Sequence, residues 1–243
     1  MRCCFTGLLL PLPLPLLLSA ALLAGCAQTP QRLAVVDDRA ALAEIAPDEA
    51  GQRYQIDSAE SSLRIHVFRA GRAVNLGHNH VLTVPSLSGL LLLPVAGKAE
   101  GARFALSFRL DALALDAPDL RAALGPAWAS LMSPEAIAAT RVNMLGEGNL
   151  QADRFPEVHI RSRQFGGEWP KLVAEVEIEL HGQRRRQWLP LQAELSAGHL
   201  KASGALVLRQ SDFGIAPFSV LGGLLAVRDE LLIEFDLLAR PRL

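Results

Sequence analysis

Residues 171–181 read Lys-Leu-Val-Ala-Glu-Val-Glu-Ile-Glu-Leu-His and set a pattern that the rest of the chain repeats. Ala174, Val176, Ile178 and Leu180 fall on one side of an extended chain, and Glu175, Glu177 and Glu179 on the other. Side chains of a strand alternate between two faces, so the stretch predicts a strand with one buried face and one solvated face. Leu231, Ile233, Phe235 and Leu237 alternate in the same way with Glu234 and Asp236, and Leu63, Ile65 and Val67 with Arg64 and His66. Phe104, Leu106, Phe108 and Leu110 form another set, as do Leu200, Ala202, Gly204, Leu206 and Leu208. Residues 157–163 and 187–195 carry weaker versions. Turns at Gly182, at Ala197-Gly198 and at Gly222-Gly223 separate the runs. Seven or eight short strands joined this way predict an antiparallel sandwich or barrel.

One interval breaks the alternation. Between Pro118 and Leu145 the chain carries Leu120-Arg121-Ala122-Ala123-Leu124 and then Ser133-Pro134-Glu135-Ala136-Ile137. Ser133 reads as a helix N-cap with Pro134 at the first helical position, so a helical insertion is expected near residues 118–145.

The start of the chain reads as a targeting segment. Arg2 precedes a Leu-rich stretch from Leu8 to Ala24 that Pro11, Pro13 and Pro15 interrupt. It is short for a membrane span of ~20 residues, and the prolines disfavour a regular helix, so a cleaved export signal over residues 1–25 fits better. Leu23-Ala24-Gly25-Cys26 resembles the lipobox of bacterial lipoproteins, which makes Cys26 the expected lipidation site. Two or more acyl chains there would anchor the protein stably. Ala27 after the cysteine resembles the pattern for outer-membrane sorting in a host with two membranes. Residues 26–52, with a short helix expected over 33–45 between Pro30 and Pro47, read as a tether.

Composition sets limits. Half of the 243 residues are hydrophobic, which excludes a disordered chain, and 24 Lys plus Arg against 25 Asp plus Glu leave no field that would attract nucleic acid. The three cysteines are Cys3, Cys4 and Cys26, so the exported part holds no internal disulfide. The Walker loop, the Gly-x-Ser-x-Gly elbow and the His-Glu-x-x-His motif are all missing, and no residue pattern points to an enzyme.

The constellation that carries chemistry is Gly77-His78-Asn79-His80. On a strand, His78 and His80 would project to the same side and could meet one cation, with His66, His159 or His181 as a third ligand. They could equally make hydrogen bonds at a barrel rim, or contact an anionic headgroup when protonated. Arg184-Arg185-Arg186 reads as a solvated hairpin tip, and Glu175, Glu177 and Glu179 as a solvent face.

Several stretches together resemble the YceI-like family. They are Tyr54-Gln55-Ile56-Asp57, then Met144-Leu145-Gly146 with Phe155-Pro156-Glu157-Val158 and Ile160-Arg161-Ser162, then Val176 to Gly182. The strongest is Gln210-Ser211-Asp212-Phe213-Gly214-Ile215-Ala216-Pro217 followed by Val227-Arg228-Asp229-Glu230. The resemblance spans residues 53–240 and implies an all-β fold, a lipocalin-like, eight-stranded antiparallel barrel. Its interior would hold a long isoprenoid chain, of the quinone or polyprenyl phosphate type. On the alternation above, Val67, Phe104, Phe108, Val176, Ile178, Leu206, Ile233 and Phe235 would line that interior. Departures from the family pattern are the lipobox with its tether, the His-Asn-His segment, and the arginines at 184–186. Three functions follow as expectations. The first is a membrane-anchored carrier or store of an isoprenoid lipid, at the periplasmic face of the outer membrane. The second is a metal- or haem-associated redox or stress protein using His78 and His80. The third is an envelope interaction module with a filled barrel.

Overall fold

The structure, a computed structural model, describes Ile45 and residues 50–242 apart from Ala96 and Ala197. The signal segment, Cys26 and the tether up to residue 49, with the helix expected over 33–45, lie outside the described residues, Ile45 excepted. Among the described residues twelve strands form: β1 (Gln52–Ile56), β2 (Ser62–Ala70), β3 (His80–Thr83), β4 (Ser88–Leu93), β5 (Arg103–Arg109), β6 (Ala114–Leu115), β7 (Glu157–Glu168), β8 (Lys171–Leu180), β9 (Gln183–Ser196), β10 (His199–Arg209), β11 (Ser219–Val220) and β12 (Leu225–Pro241). The α-helices α1 (Pro118–Ala123) and α2 (Pro134–Leu145) interrupt them.

Eight of these strands run round in the order β1-β4-β5-β7-β8-β9-β10-β12, each antiparallel to the next. The end of β12 returns to β1 through Tyr54↔Pro241 and Ile56↔Ala239, which closes the barrel and removes its edges. The earlier part of β12 pairs instead with β2, from Ala226↔Ala70 to Asp236↔Ser62, and β3 and β6 extend that wall. This is the eight-stranded antiparallel barrel that the resemblance implied, and one of the two architectures the alternation allowed.

Local sequence explains the joints. His181 and Gly182 join β8 to β9 with φ of 53° and 69°, the left-handed pair that a tight two-residue hairpin turn needs. A Cβ on Gly182 would also lie 2.7 Å from Cε1 of Phe155, so the position excludes a side chain twice over. The helical insertion begins as expected: Ser133 Oγ accepts the Ala136 amide at 3.2 Å and Pro134 opens α2. Pairing between β9 and β10 runs from His199↔Ser196 to Gly204↔Leu191. The next residue of β9, Pro190, has no N–H to donate.

Two sequence readings need correction. Arg184–Arg186 are not a hairpin tip, because the turn is complete at Gly182 and all three lie in β9. Glu177 is not on a freely solvated face: it is 7% exposed and paired with Arg163 and with Arg186 Nε, the latter at 3.3 Å. Glu179 similarly receives Arg184 Nε at 2.9 Å and Arg161 Nη2 at 3.5 Å. Long arginine side chains from β7 and β9 fold over the glutamates of β8 and cover their apolar stems. The Arg163 guanidinium beside Glu177 holds its carboxyl below the ordinary carboxylate value.

Ile45, the described residue of the tether region, is buried against Leu90 and Leu92 of β4. The main core occupies the barrel interior, from Leu180 and Leu110 at one end to Leu200 and Ala239 towards the other.

Candidate functional site

The inward faces of the strands do not fill the barrel. They surround a cavity of about 290 Å³ lined almost wholly by aliphatic and phenylalanine side chains. The lining extends along β8 from Leu172 to Leu180, which at ~3.3 Å per residue is about 26 Å along the strand. With strands tilted by ~40°, the cavity is about 20 Å long along the barrel axis. Its shape suits a slender chain.

All eight residues singled out from the sequence face this cavity: Val67 on β2, Phe104 and Phe108 on β5, Val176 and Ile178 on β8, Leu206 on β10, and Ile233 and Phe235 on β12. Seven of them fall into two groups, and Phe104 of β5 is half-buried with its ring edge-on to Phe165. Val176, Ile178 and Phe108 are buried in the packed wall made by β5, β7 and β8. Val67, Leu206, Ile233 and Phe235 are only half-buried and form the wall made by β2, β10 and β12. At the levels of these residues, more of the free space therefore lies against the second wall.

Most of the polar lining side chains gather at one end. Across four strands, Leu208 of β10 stands opposite Leu231 of β12, Leu231 opposite Val67 of β2, and Val67 opposite His80 of β3. His80 therefore lies at the level of the last turn of β10, just before Gln210, and both reach the cavity. Thr140 and Asn143 of α2, together with Asn149, line it as well. At the opposite end Leu172, Leu191 and Ala193 are apolar, and Arg103 at the start of β5 is the charged residue of the lining there.

Behind His80 stands a buried charge network that the sequence did not reveal. Asp116 is 1% exposed and Arg121 3% exposed. His80 Nδ1 donates to Asp116 Oδ2 at 2.7 Å, Arg121 Nη1 donates to Asp116 Oδ1 at 2.6 Å, and the Val81 amide donates to the same oxygen at 3.1 Å. Arg121 also donates to Asn79 O at 2.7 Å and, through Nη2, to Ser130 O and Oγ. Burial alone would push the Asp116 carboxyl up, but the bonds from His80, Val81 and Arg121 outweigh it and hold the carboxyl below its ordinary value. Asp116 has φ of 54°, a conformation costly for a residue with a Cβ, and this network pins it there. Asp116 precedes α1 by two residues, where an aspartate reads as an ordinary helix-start residue. Nothing local signals that it meets a histidine 36 positions earlier.

The other histidines are distributed around the barrel. His78 precedes β3, so it does not share a strand face with His80, and its Nδ1 is 3.1 Å from Ser130 Oγ. Burial lowers its pKa, and the nearby Arg121 guanidinium adds to the effect. His66 points from the outer face of β2 to Glu234 at 2.8 Å, with Trp128 packed edge-on at 5.3 Å. His159 lies 3.4 Å from Glu157, and His181 Nδ1 donates to Phe213 O at 3.1 Å. The structure does not bring a third ligand to His78 and His80: among the described residues no group of three His, Cys, Asp or Glu side chains is placed to hold a metal ion.

No family model matches the sequence, and no curated protein matches it. Solved structures do. BcnA of Burkholderia cenocepacia matches with a TM-score of 0.53 at 14% identity, over 75% of this chain and 98% of that one. A polyisoprenoid-binding domain from Saccharophagus degradans matches at 0.49 and 14% identity, over 78% of this chain and 98% of its own. A Campylobacter jejuni YCEI protein matches at 0.48 and 9% identity, over 67% and 84% respectively. At 14% identity the likeness to BcnA is one of fold alone.

Proposed function

We propose that this protein is a carrier or store for a long-chain isoprenoid lipid, of the quinone or polyprenyl type, held inside the barrel without chemical change. The observation that carries the reading is the cavity itself: a closed barrel of this size that leaves its interior unfilled and apolar is built to take a slender ligand. At ~0.8 kcal/mol per buried methylene, a tail of about ten carbons would gain about 8 kcal/mol before ordering costs. The isoprenoid class is supported by the YceI-like motifs from Tyr54 to Glu230. The lipobox supports a lipoprotein acylated at Cys26, exported and held at the periplasmic face of the outer membrane in a host with two membranes. The filled-barrel module is disfavoured by the same cavity.

The test is extraction from vesicles. A Cys26→Ser chain, purified without detergent after export, is mixed with vesicles containing an isoprenoid quinone and then separated by flotation. The reading expects quinone to leave with the protein, up to one per chain. Its rejection would be protein that returns with no quinone at any ratio. The anchored chain should float with vesicles, and Cys26→Ser should not.

A further inference from the structure

An imidazole with a buried carboxylate behind it is an expensive object to place at the end of an apolar tube. His80 is 15% exposed and lines the cavity, its Nδ1 is committed to Asp116, and among the described residues its Nε2 has no hydrogen-bond partner. Asp116 and Arg121 are both buried and bonded to each other at 2.6 Å, so the carboxylate's charge is already balanced by a guanidinium that stays protonated. In the neutral ring, an Nδ1–H that donates to Asp116 makes Nε2 an acceptor. The cavity therefore presents, at one end and facing a ligand, an oriented hydrogen-bond acceptor.

We propose that His80 Nε2 accepts a hydrogen bond from a hydroxyl at the head of the apolar ligand, which fixes that ligand with its polar end at α2 and its tail towards Leu172 and Leu191. Asp116 and Arg121 act as positioning residues that hold the ring in this tautomer and direction, as such outer partners do for other functional histidines. The inference rests on the proposed function and sharpens it. It selects ligands that carry a donor, a long-chain alcohol or a quinol, over those whose head only accepts, such as a quinone or an ether. Asn143 and Thr140 of α2 line the same end and can meet the remaining lone pairs of the hydroxyl.

The test is a two-by-two cycle on the Cys26→Ser chain, using geranylgeraniol and its methyl ether as probes and wild-type His80 against His80→Phe. The cycle cancels the bulk of the added methyl and of the phenyl ring. A neutral hydrogen bond of ordinary strength predicts about a fivefold coupling in Kd, with the alcohol favoured only when His80 is present. His80→Gln, which keeps an acceptor on a shorter side chain, should restore part of the preference. Equal discrimination between the probes by wild type and His80→Phe, with both chains folded by thermal melt, would overturn the anchor while leaving the carrier reading intact. Binding of neither probe by wild type would overturn both. A geranylgeranyl hydroquinone measured alongside tells the two supporting sources apart, since it binds more tightly than the alcohol only if the cavity head accommodates a ring.

Discussion

Replacing Asp116 by alanine is the sharpest probe of the buried network. The carboxylate is 1% exposed and accepts from His80, Arg121 and the Val81 amide. Its loss strands a guanidinium that is 3% exposed and whose Nε already lacks a partner among the described residues. Removing one member of a buried ion pair costs about 3–5 kcal/mol because the remaining charge is uncompensated. In a domain of this size, 1 kcal/mol moves Tm by about 2–4 °C, so the melting point should fall by about 12 °C. Asp116→Leu combined with Arg121→Met removes both charges and should recover part of the loss. The pH dependence has a definite sign. The folded carboxyl lies below its ordinary value of 3.8, so the stability it contributes is present in full well above that value and drains away as pH falls through the lower folded value. The deficit of Asp116→Ala should be constant above about pH 5 and shrink in acid. Circular dichroism melts across pH measure both. A Tm within about 3 °C of wild type at neutral pH would mean that the network is not buried as described, and the reasoning from it would fall.

Three further outcomes follow from other parts of the barrel. Gly182→Ala, at φ of 69° with Phe155 Cε1 2.7 Å from the new Cβ, should cost more than about 1 kcal/mol in denaturant melts; an unchanged midpoint would mean a different turn. Leu206→Trp places a larger side chain on the half-open wall, and it should cut uptake of an isoprenoid probe at least tenfold while lowering Tm by only a few degrees. The same change at Val176, which is fully buried in the packed wall, should instead destabilise the fold strongly, and equal effects at the two sites would contradict the placement of the free space. Glu177→Gln removes pairings to Arg163 and Arg186 that are substantially exposed on the arginine side, so it should cost at most about 1 kcal/mol at neutral pH and less in high salt.

The cavity lining was legible in the sequence because a strand has period two. Val67, Ile178, Leu206 and Phe235 face inward for the same reason that Arg64, Glu179, Val207 and Glu234 do not, and no knowledge of the partners was needed. The helical insertion was legible through Ser133 and Pro134, whose signals are local. What the sequence hid was whatever depends on pairing between distant segments. Glu177 reads as surface in β8 because the arginines that cover it come from β7 and β9. His78 and His80 look like a pair until the chain before β3 is seen to bend away, which sends His78 to Ser130 and His80 to Asp116. Periodicity also could not separate a filled core from an open tube, since both need the same inward residues; only side-chain volumes summed over the closed barrel decide that.

The proposed function requires that the cavity hold an apolar chain. Native mass spectrometry of the Cys26→Ser protein, purified from its exported form without detergent, tests it most directly. A second species heavier by the mass of one isoprenoid lipid is expected, lost on extraction into organic solvent and absent from Leu206→Trp. A single species at the bare polypeptide mass that stays bare after incubation with isoprenoid lipid, from protein with an intact β-sheet spectrum, would contradict it.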